Sequence, residues 1–295
     1  MGFFEFHIPI ADGYATQRQE VLVKFWIRGA RTGILAAGLL LSACNGGNGA
    51  DQGGATEAGA VHLVNPGKLT VCTNLPYEPF QFTKDKEVVG FDVDIVNLAA
   101  KRLGVTQEIV NIDFAVIKSG AALNSGKCDL AAAGMTITEE RKKNIDFSVP
   151  YFEATQALLA RKGSGISSLD DVKAKKLKLA ALAGTTGLDY VVKQGFDPLQ
   201  FADAAKQLLS MQTGQTDVLI QDLPVVLTWL KKPEVAAKFE LVSNLDTGEQ
   251  YGIAMKLGNT GLAKVVNEAI ESARKDGTYD AVYKKWFDLP APSKP

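Results

Sequence analysis

The chain has 295 residues, 46% hydrophobic and 22% charged, with a formal net charge of −1. That is ordinary for a soluble globular protein of one or two domains with proper cores. Residues 1–43 hold four Lys/Arg against three Asp/Glu, so the remainder carries −2, with nothing basic enough to grip nucleic acid. Both histidines, His7 and His62, precede the first core-like strand. The folded part therefore offers no histidine for a triad, a general base or a typical zinc site, and no metal or cofactor is expected.

Lys24, Arg28 and Arg31 precede the apolar run Gly33 to Leu41, and Ser42-Ala43-Cys44 follow. A basic flank, a short apolar run and a small-residue zone read as a targeting segment over 1–43, too short for a membrane span. Leu41-Ser42-Ala43-Cys44 resembles the bacterial lipobox, which implies a lipidated Cys44 that anchors the chain to a membrane. Residues 1–20 fit no part of such a signal, which suggests a true start at Val21 or Val23. The Gly- and Ala-rich stretch after Cys44 cannot bury a core, and 44–66 reads as a flexible tether.

In the folded part Leu69 to Thr73 reads as a strand. It ends in Asn74-Leu75-Pro76-Tyr77-Glu78-Pro79-Phe80, a Pro-stiffened loop with two aromatics. Gln81 to Val89 reads as a hairpin around Lys84-Asp85-Lys86. From Gly90 to Gly104, Val93, Val96, Ala100 and Leu103 make one helical face, and Gly104 is a stop. Thr106 to Ile112 is the next strand, Val116 to Leu123 the next helix, and Asp129 to Ala133 a buried strand. This βαβαβ order implies a doubly wound, largely parallel sheet.

A second unit begins near Lys162. It holds a helix at Ser168 to Lys173, a strand at Lys178 to Leu182, and a Gly/Thr-rich turn at Ala183 to Gly187 that leads into a helix to Gln194. A helix at Ala202 to Met211, a strand at Asp217 to Ile220, and a Pro224-started helix through Trp229 follow. Gly126 to Gly134 and Gly214 to Asp222 echo one another, each a helix stop, Gly-x-x-Asp, an apolar strand and a polar strand end. Related lobes would show this, but such punctuation is also common in any α/β protein. Leu262 to Lys275 reads as an amphipathic helix and Tyr279 to Trp286 as a last one.

Gly134 to Arg141 follows the end of a buried strand. Thr138 suits an N-cap, Glu139 and Glu140 suit a first turn, and Arg141 falls at the third helical position. Strand ends that run into helix starts bind ligands in open α/β sheets, and a guanidinium grips a carboxylate in two places. The competing reading is a charged helix start solvated with Lys142 and Lys143.

Gly90 to Leu103, Gly134 to Ser148 and Asp276 to Phe287 resemble three motifs of the bacterial solute-binding proteins of polar amino-acid ABC transporters. They occur in the family's order, and the resemblance runs from about Leu69 to Phe287. It implies a two-lobed clamp of the periplasmic-binding-protein type, with 67–153 and 250–290 as lobe 1 and 154–249 as lobe 2. The chain would cross between lobes near Tyr151 to Thr155 and Thr247 to Tyr251, and hinge closure would trap the ligand. By the same resemblance Arg141 takes a ligand α-carboxylate, helped by the Thr136 region and by N–H groups at Thr185 and Thr186. Asp222 takes the α-ammonium, with the Gly134 carbonyl and Thr136 hydroxyl as further acceptors. Tyr77 and Phe114 sandwich the aliphatic part, while Phe80 is equally readable as core.

Asn74, where some relatives that bind cations carry an acid, and the apolar Leu182, where some glutamine binders carry a lysine, favour a neutral polar amino acid, with a cationic one next. Gln221 would either contact the ligand or support Asp222. The expected partners are the free amino acid, an ABC permease with its ATPase, and the membrane through Cys44, for a monomer working at the outer face of the cytoplasmic membrane. Alternatives on the same scaffold are a dehydratase-like enzyme using Glu78 or Asp222, or an amino-acid sensor. Cys72 and Cys128 are left open. The compartment favours a disulfide, but in-register strands would hold the pair beyond the roughly 7 Å Cα limit.

Overall fold

The computed structural model describes residues 61–292, so the targeting segment, Cys44 and the tether up to residue 60 lie outside the described residues. The first part of the chain forms β1 (Lys68–Thr73), β2 (Phe82–Lys84), β3 (Glu87–Val89), α1 (Phe91–Leu103), β4 (Thr106–Asn111), α2 (Phe114–Lys118), α3 (Ala121–Asn124), β5 (Leu130–Ala131) and β6 (Ile145–Phe147). Then come β7 (Phe152–Arg161), α4 (Leu169–Ala174), β8 (Leu179–Leu182), α5 (Thr186–Lys193), β9 (Leu199–Phe201), α6 (Ala204–Gln212) and β10 (Val218–Asp222). The chain ends with α7 (Leu223–Leu230), α8 (Pro233–Ala236), β11 (Phe239–Tyr251), β12 (Ala254–Lys256), α9 (Thr260–Asp276) and α10 (Thr278–Phe287).

Two five-stranded sheets result, ordered β4-β1-β5-β12-β6 and β11-β7-β10-β8-β9. In each, three strands run parallel, as the βαβ order implies: β4, β1 and β5 in the first, β10, β8 and β9 in the second. The other strands pair antiparallel, so both sheets are mixed. The chain leaves the first sheet after β6, enters the second at β7, and returns from β11 to β12. The two crossing strands pair with each other, Tyr251 opposite Phe152 and Glu249 opposite Ala154. A two-stranded ribbon therefore joins the sheets.

Local sequence explains most elements. Leu69 to Thr73 is buried throughout, as befits a central parallel strand covered on both faces. The hairpin turns at Asp85 and Lys86, both at positive φ. The buried face of α1 runs through Phe91, Ile95, Val96, Ala99 and Ala100, which leaves Val93 and Leu103 at its margin. Gly104, left-handed at φ 70, stops it. The expected helix over Val116 to Leu123 is broken in two, because Gly120 adopts φ 78 between α2 and α3. The start at Thr138 becomes a single 3-10 turn, Arg141–Lys143. Thr138 Oγ1 still accepts the Arg141 N–H (3.2 Å), but β6 begins at Ile145 and leaves no room for a longer helix.

The Gly-x-x-Asp echo has a shared structural job. Asp129 accepts the Thr70 N–H (2.7 Å) and Asp217 accepts the Lys178 N–H (2.9 Å), so each carboxylate pins the start of a neighbouring strand. Asp129 also takes the Val64 N–H (2.6 Å), which docks the chain within the expected tether. Cys72 and Cys128 are joined as a disulfide with Cα atoms 5.7 Å apart, against the wide gap expected from in-register strands. The reason is that Cys128 precedes β5 and lies outside any strand, among Ile117, Ala122 and Leu123 under β1.

α9 and α10 return to α1: Arg102 bonds Glu268 (2.6 Å), and Asp94 accepts from both Lys285 and Trp286 (2.7 Å each). Beneath them Phe80, Phe91, Tyr151, Phe152, Tyr251, Tyr279, Tyr283 and Phe287 form a continuous aromatic cluster. Phe80 is fully buried in it, so of its two readings the core one applies. Gly90 is required for the same packing: at φ 143, a Cβ there would lie 2.0 Å from the Phe80 carbonyl.

Candidate functional site

A pocket with an empty volume of about 450 Å³ lies between the two sheets. Asn74, Tyr77, Phe114, Gly134, Thr136, Arg141, Leu182, Thr185, Thr186 and Asp222 line it, together with Gln81, Ala133, Ala183 and Ala202. Gln221, the remaining candidate, stands behind the wall. Its Oε1 accepts from Tyr77 (2.8 Å) and from the Asp222 N–H (2.8 Å), and its amide donates to Gln207 (2.9 Å). It supports Asp222 rather than facing the cavity.

Arg141 comes from the first sheet and is 7% exposed. It donates to the Thr136 carbonyl (2.7 Å) and across the pocket to the Gly184 carbonyl (3.2 Å), with its guanidinium 5.4 Å over the Phe114 ring. A guanidinium has five N–H donors, so three stay available to an incoming acceptor. Burial pulls its pKa down, while the charges of Asp189, Glu249, Asp222 and Glu140 oppose that. Opposite it, at the N-terminus of α5, Thr185 caps Leu188 (3.2 Å). The first N–H groups of that helix lack intrahelical acceptors and face an anion-friendly end.

Asp222 ends β10, where Pro224 and the start of α7 turn the chain away. Its carboxylate accepts from Tyr77 (2.5 Å), Tyr251 and Gln156 (2.5 Å). Tyr77 and Tyr251 are both held well above the usual phenol pKa, chiefly by burial, and so remain donors. For Asp222, burial and then the Glu249 charge raise the pKa to about 6, against the three hydrogen bonds that lower it. A carboxylate offers about four lone-pair sites, so three donors leave one open, on Oδ1. That position suits one further cationic donor.

Glu249, in the crossing strand β11, was not among the candidates. It is 9% exposed and accepts from the hydroxyls of Thr136 (2.8 Å) and Thr186 (2.9 Å), one from each side of the pocket. Each hydroxyl has one proton to give. Toward a ligand both threonines are therefore acceptors, and help for an anion near Thr186 comes from backbone N–H groups rather than its side chain. Gln156 also reaches Glu249 (3.3 Å), linking it to Asp222. Gln156 and Tyr251 were missed with it. The available signal was alternation, since Glu249 and Tyr251 are two residues apart in one strand and both buried.

Asp92, fully buried in α1, accepts the Gly134 N–H (2.8 Å) and the Tyr151 hydroxyl (2.7 Å), and burial raises it to about 6. It fixes the turn at Gly134, whose φ of 54 and close approach to Tyr77 leave no room for a Cβ.

The chain from 69 to 289 matches the family model for bacterial extracellular solute-binding proteins, family 3. It is 35% identical over 273 residues to a probable histidine-binding protein of Neisseria gonorrhoeae, covering 90% of this chain and 96% of that one. It is also 35% identical over 204 residues to the glutamine-binding protein of an ABC transporter in Bacillus subtilis, covering 68% of this chain and 73% of that one. Among solved structures, an ancestral arginine-binding protein bound to glutamine superposes with a TM-score of 0.70 at 40% identity, over 76% of this chain and 99% of that one. A two-sheet fold with a polar pocket at the crossing, and a match over nearly all the described residues, together give the affiliation: the chain belongs to the bacterial extracellular solute-binding proteins of family 3.

Proposed function

We propose that the protein captures a free polar amino acid between its two lobes and delivers it to the permease of an ABC importer. The carrying observation is that two buried, opposite charges, Arg141 and Asp222, come from different sheets to one pocket. Arg141 takes the α-carboxylate with its three free donors. The α-ammonium goes to the open Oδ1 site of Asp222, with Thr136 and the Gly134 carbonyl as further acceptors. Tyr77 and Phe114 flank the aliphatic part. Closure around the ligand excludes water, which strengthens each charge-assisted contact.

The side-chain end is set by two amides. Asn74 Nδ2 donates to the Ile112 carbonyl (3.0 Å), and Gln81 Nε2 donates to the Asn74 carbonyl (3.3 Å), so each amide keeps its side-chain oxygen and one N–H. Gln81 Oε1 is buried without a partner. A ligand side chain with an N–H donor satisfies that oxygen, and a carboxylate side chain does not. This supports a neutral amide-bearing or cationic amino acid and opposes an acidic one.

In this reading lobe 1 is 67–153 with 250–290, lobe 2 is 154–249, and the β7–β11 ribbon is the hinge. Cys44 carries the lipid that holds the monomer at the outer face of the membrane. Binding rather than catalysis is the role, because Asp222 is already held by three donors as a fixed acceptor. A thermal-shift panel of the amino acids tests it: one polar amino acid at about 100 times its Kd should stabilise by about 2.7 kcal/mol. It should also be recovered unchanged after incubation. A flat panel, or a converted ligand, contradicts the proposal.

A further inference from the structure

The charged groups buried in the described residues are Asp92, Asp129, Arg141, Asp222 and Glu249. Asp129 sits away from the pocket on the Val64 and Thr70 amides. The other three acids all touch the pocket's frame: Asp222 lines it, Asp92 holds Gly134, and Glu249 holds Thr136 and Thr186. A single guanidinium stands against three carboxylates. At the outer mouth, Lys118 and Lys193 are balanced by Glu140 and Asp189, so the imbalance is internal.

We propose that Glu249, acting through the threonines it holds and outside the pocket lining, makes the site select ligands by net charge and prefer a cationic side chain over its neutral isostere. This rests on the amino-acid-binding reading above. The α-carboxylate and α-ammonium of any amino acid cancel each other, as Arg141 and Asp222 do. The remaining negative charge is then answered only by the ligand's side chain. Shape and hydrogen bonding at Asn74 and Gln81 accept an amide or a guanidinium alike, since both present N–H donors. Charge is what separates them, and Glu249 is the acid joined to both walls of the pocket. The order of preference read from Asn74 and Leu182 alone is thereby reversed, with cationic ahead of neutral.

L-arginine and L-citrulline differ by a guanidinium against a urea of nearly equal size, and they form the test pair. Titration calorimetry on the full chain should show wild type binding L-arginine at least about tenfold more tightly than L-citrulline, since charges interact strongly in a site shielded from water. Glu249→Gln should shrink that ratio severalfold, and Glu249→Asp should retain most of it. A purely structural role for Glu249 would weaken both ligands equally and leave the ratio intact, which overturns the proposal. So does a wild type that binds citrulline as tightly as arginine, a result that needs no variant to fold. A wild type that binds neither of the pair but binds another amino acid overturns the charge preference and spares the binding function. One that binds no amino acid overturns both.

Discussion

Replacing Arg141 by alanine separates its structural role from its role toward the ligand. In the structure it makes two hydrogen bonds, to the carbonyls of Thr136 and Gly184, and is almost wholly buried. Losing them leaves two acceptors short of a partner, about 1–3 kcal/mol each. The same change removes the desolvation cost of a buried charge but also the counter-charge to Asp222 and Glu249, so the ligand-free protein should be measurably destabilised. With the ligand the balance differs, because its α-carboxylate would be enclosed without a counter-charge at a cost of roughly 3–5 kcal/mol. The Kd should therefore rise from about a hundredfold to several thousandfold. Arg141→Lys should recover only part of this, since an ammonium cannot make the forked contact. Titration calorimetry, paired with a thermal melt of each ligand-free variant, reads both effects. A folded Arg141→Ala protein that binds within tenfold of wild type refutes the assignment of the carboxylate to Arg141.

Asp222, raised to about 6 in the ligand-free protein, must be ionised to hold an ammonium. Affinity should therefore fall below pH 6, by about tenfold per unit once the group is protonated, and Asp222→Asn should bind weakly and lose that dependence. The sign for the ligand-free fold is opposite: a carboxyl raised in the native state binds protons more tightly than in the unfolded chain, so its contribution to stability declines as pH rises from about 4 through 6. Ligand-free melts of wild type and Asp222→Asn across that window check it. Gly134→Ala should abolish binding, because its Cβ would lie 2.8 Å from the Tyr77 ring at a φ of 54 and push Tyr77 from Asp222; calorimetry showing normal affinity would contradict this. Removing the disulfide by Cys72→Ala with Cys128→Ala opens a cross-link over 56 residues and should cost about 4 kcal/mol by chain entropy, read from denaturant unfolding.

The parts of the molecule legible in the sequence are those whose cause is local. Apolar strands such as Leu69 to Thr73 and glycine stops such as Gly104 are fixed within a few residues of themselves. Ten of the eleven candidate residues line the pocket, because loops at strand ends carry them there. What escaped was set by long-range pairing. β7 has no clean alternation, and the strand character of β7 and β11 comes from pairing with each other in the ribbon. Glu249, read as lying in one hinge segment, and Gln156, just beyond the other, are buried because that ribbon runs behind the pocket. Cys128 was misplaced for a related reason, since its distance from Cys72 depends on how α3 delivers the chain beneath β1. Gln81 was hidden in the expected hairpin, although it follows Tyr77 by four residues in a stiff loop.

The central claim is that Arg141 and Asp222 hold the two ends of a free α-amino acid. The most direct measurement takes the amino acid that stabilises the protein most and titrates it beside two analogues, its decarboxylated amine and its N-acetyl derivative. Each analogue strands one buried charge, so each should bind at least about a hundredfold more weakly. The loss for the amine should shrink in Arg141→Ala, and that for the N-acetyl compound in Asp222→Asn. If either analogue binds wild type within tenfold of the parent amino acid, the corresponding charge is not what holds the ligand.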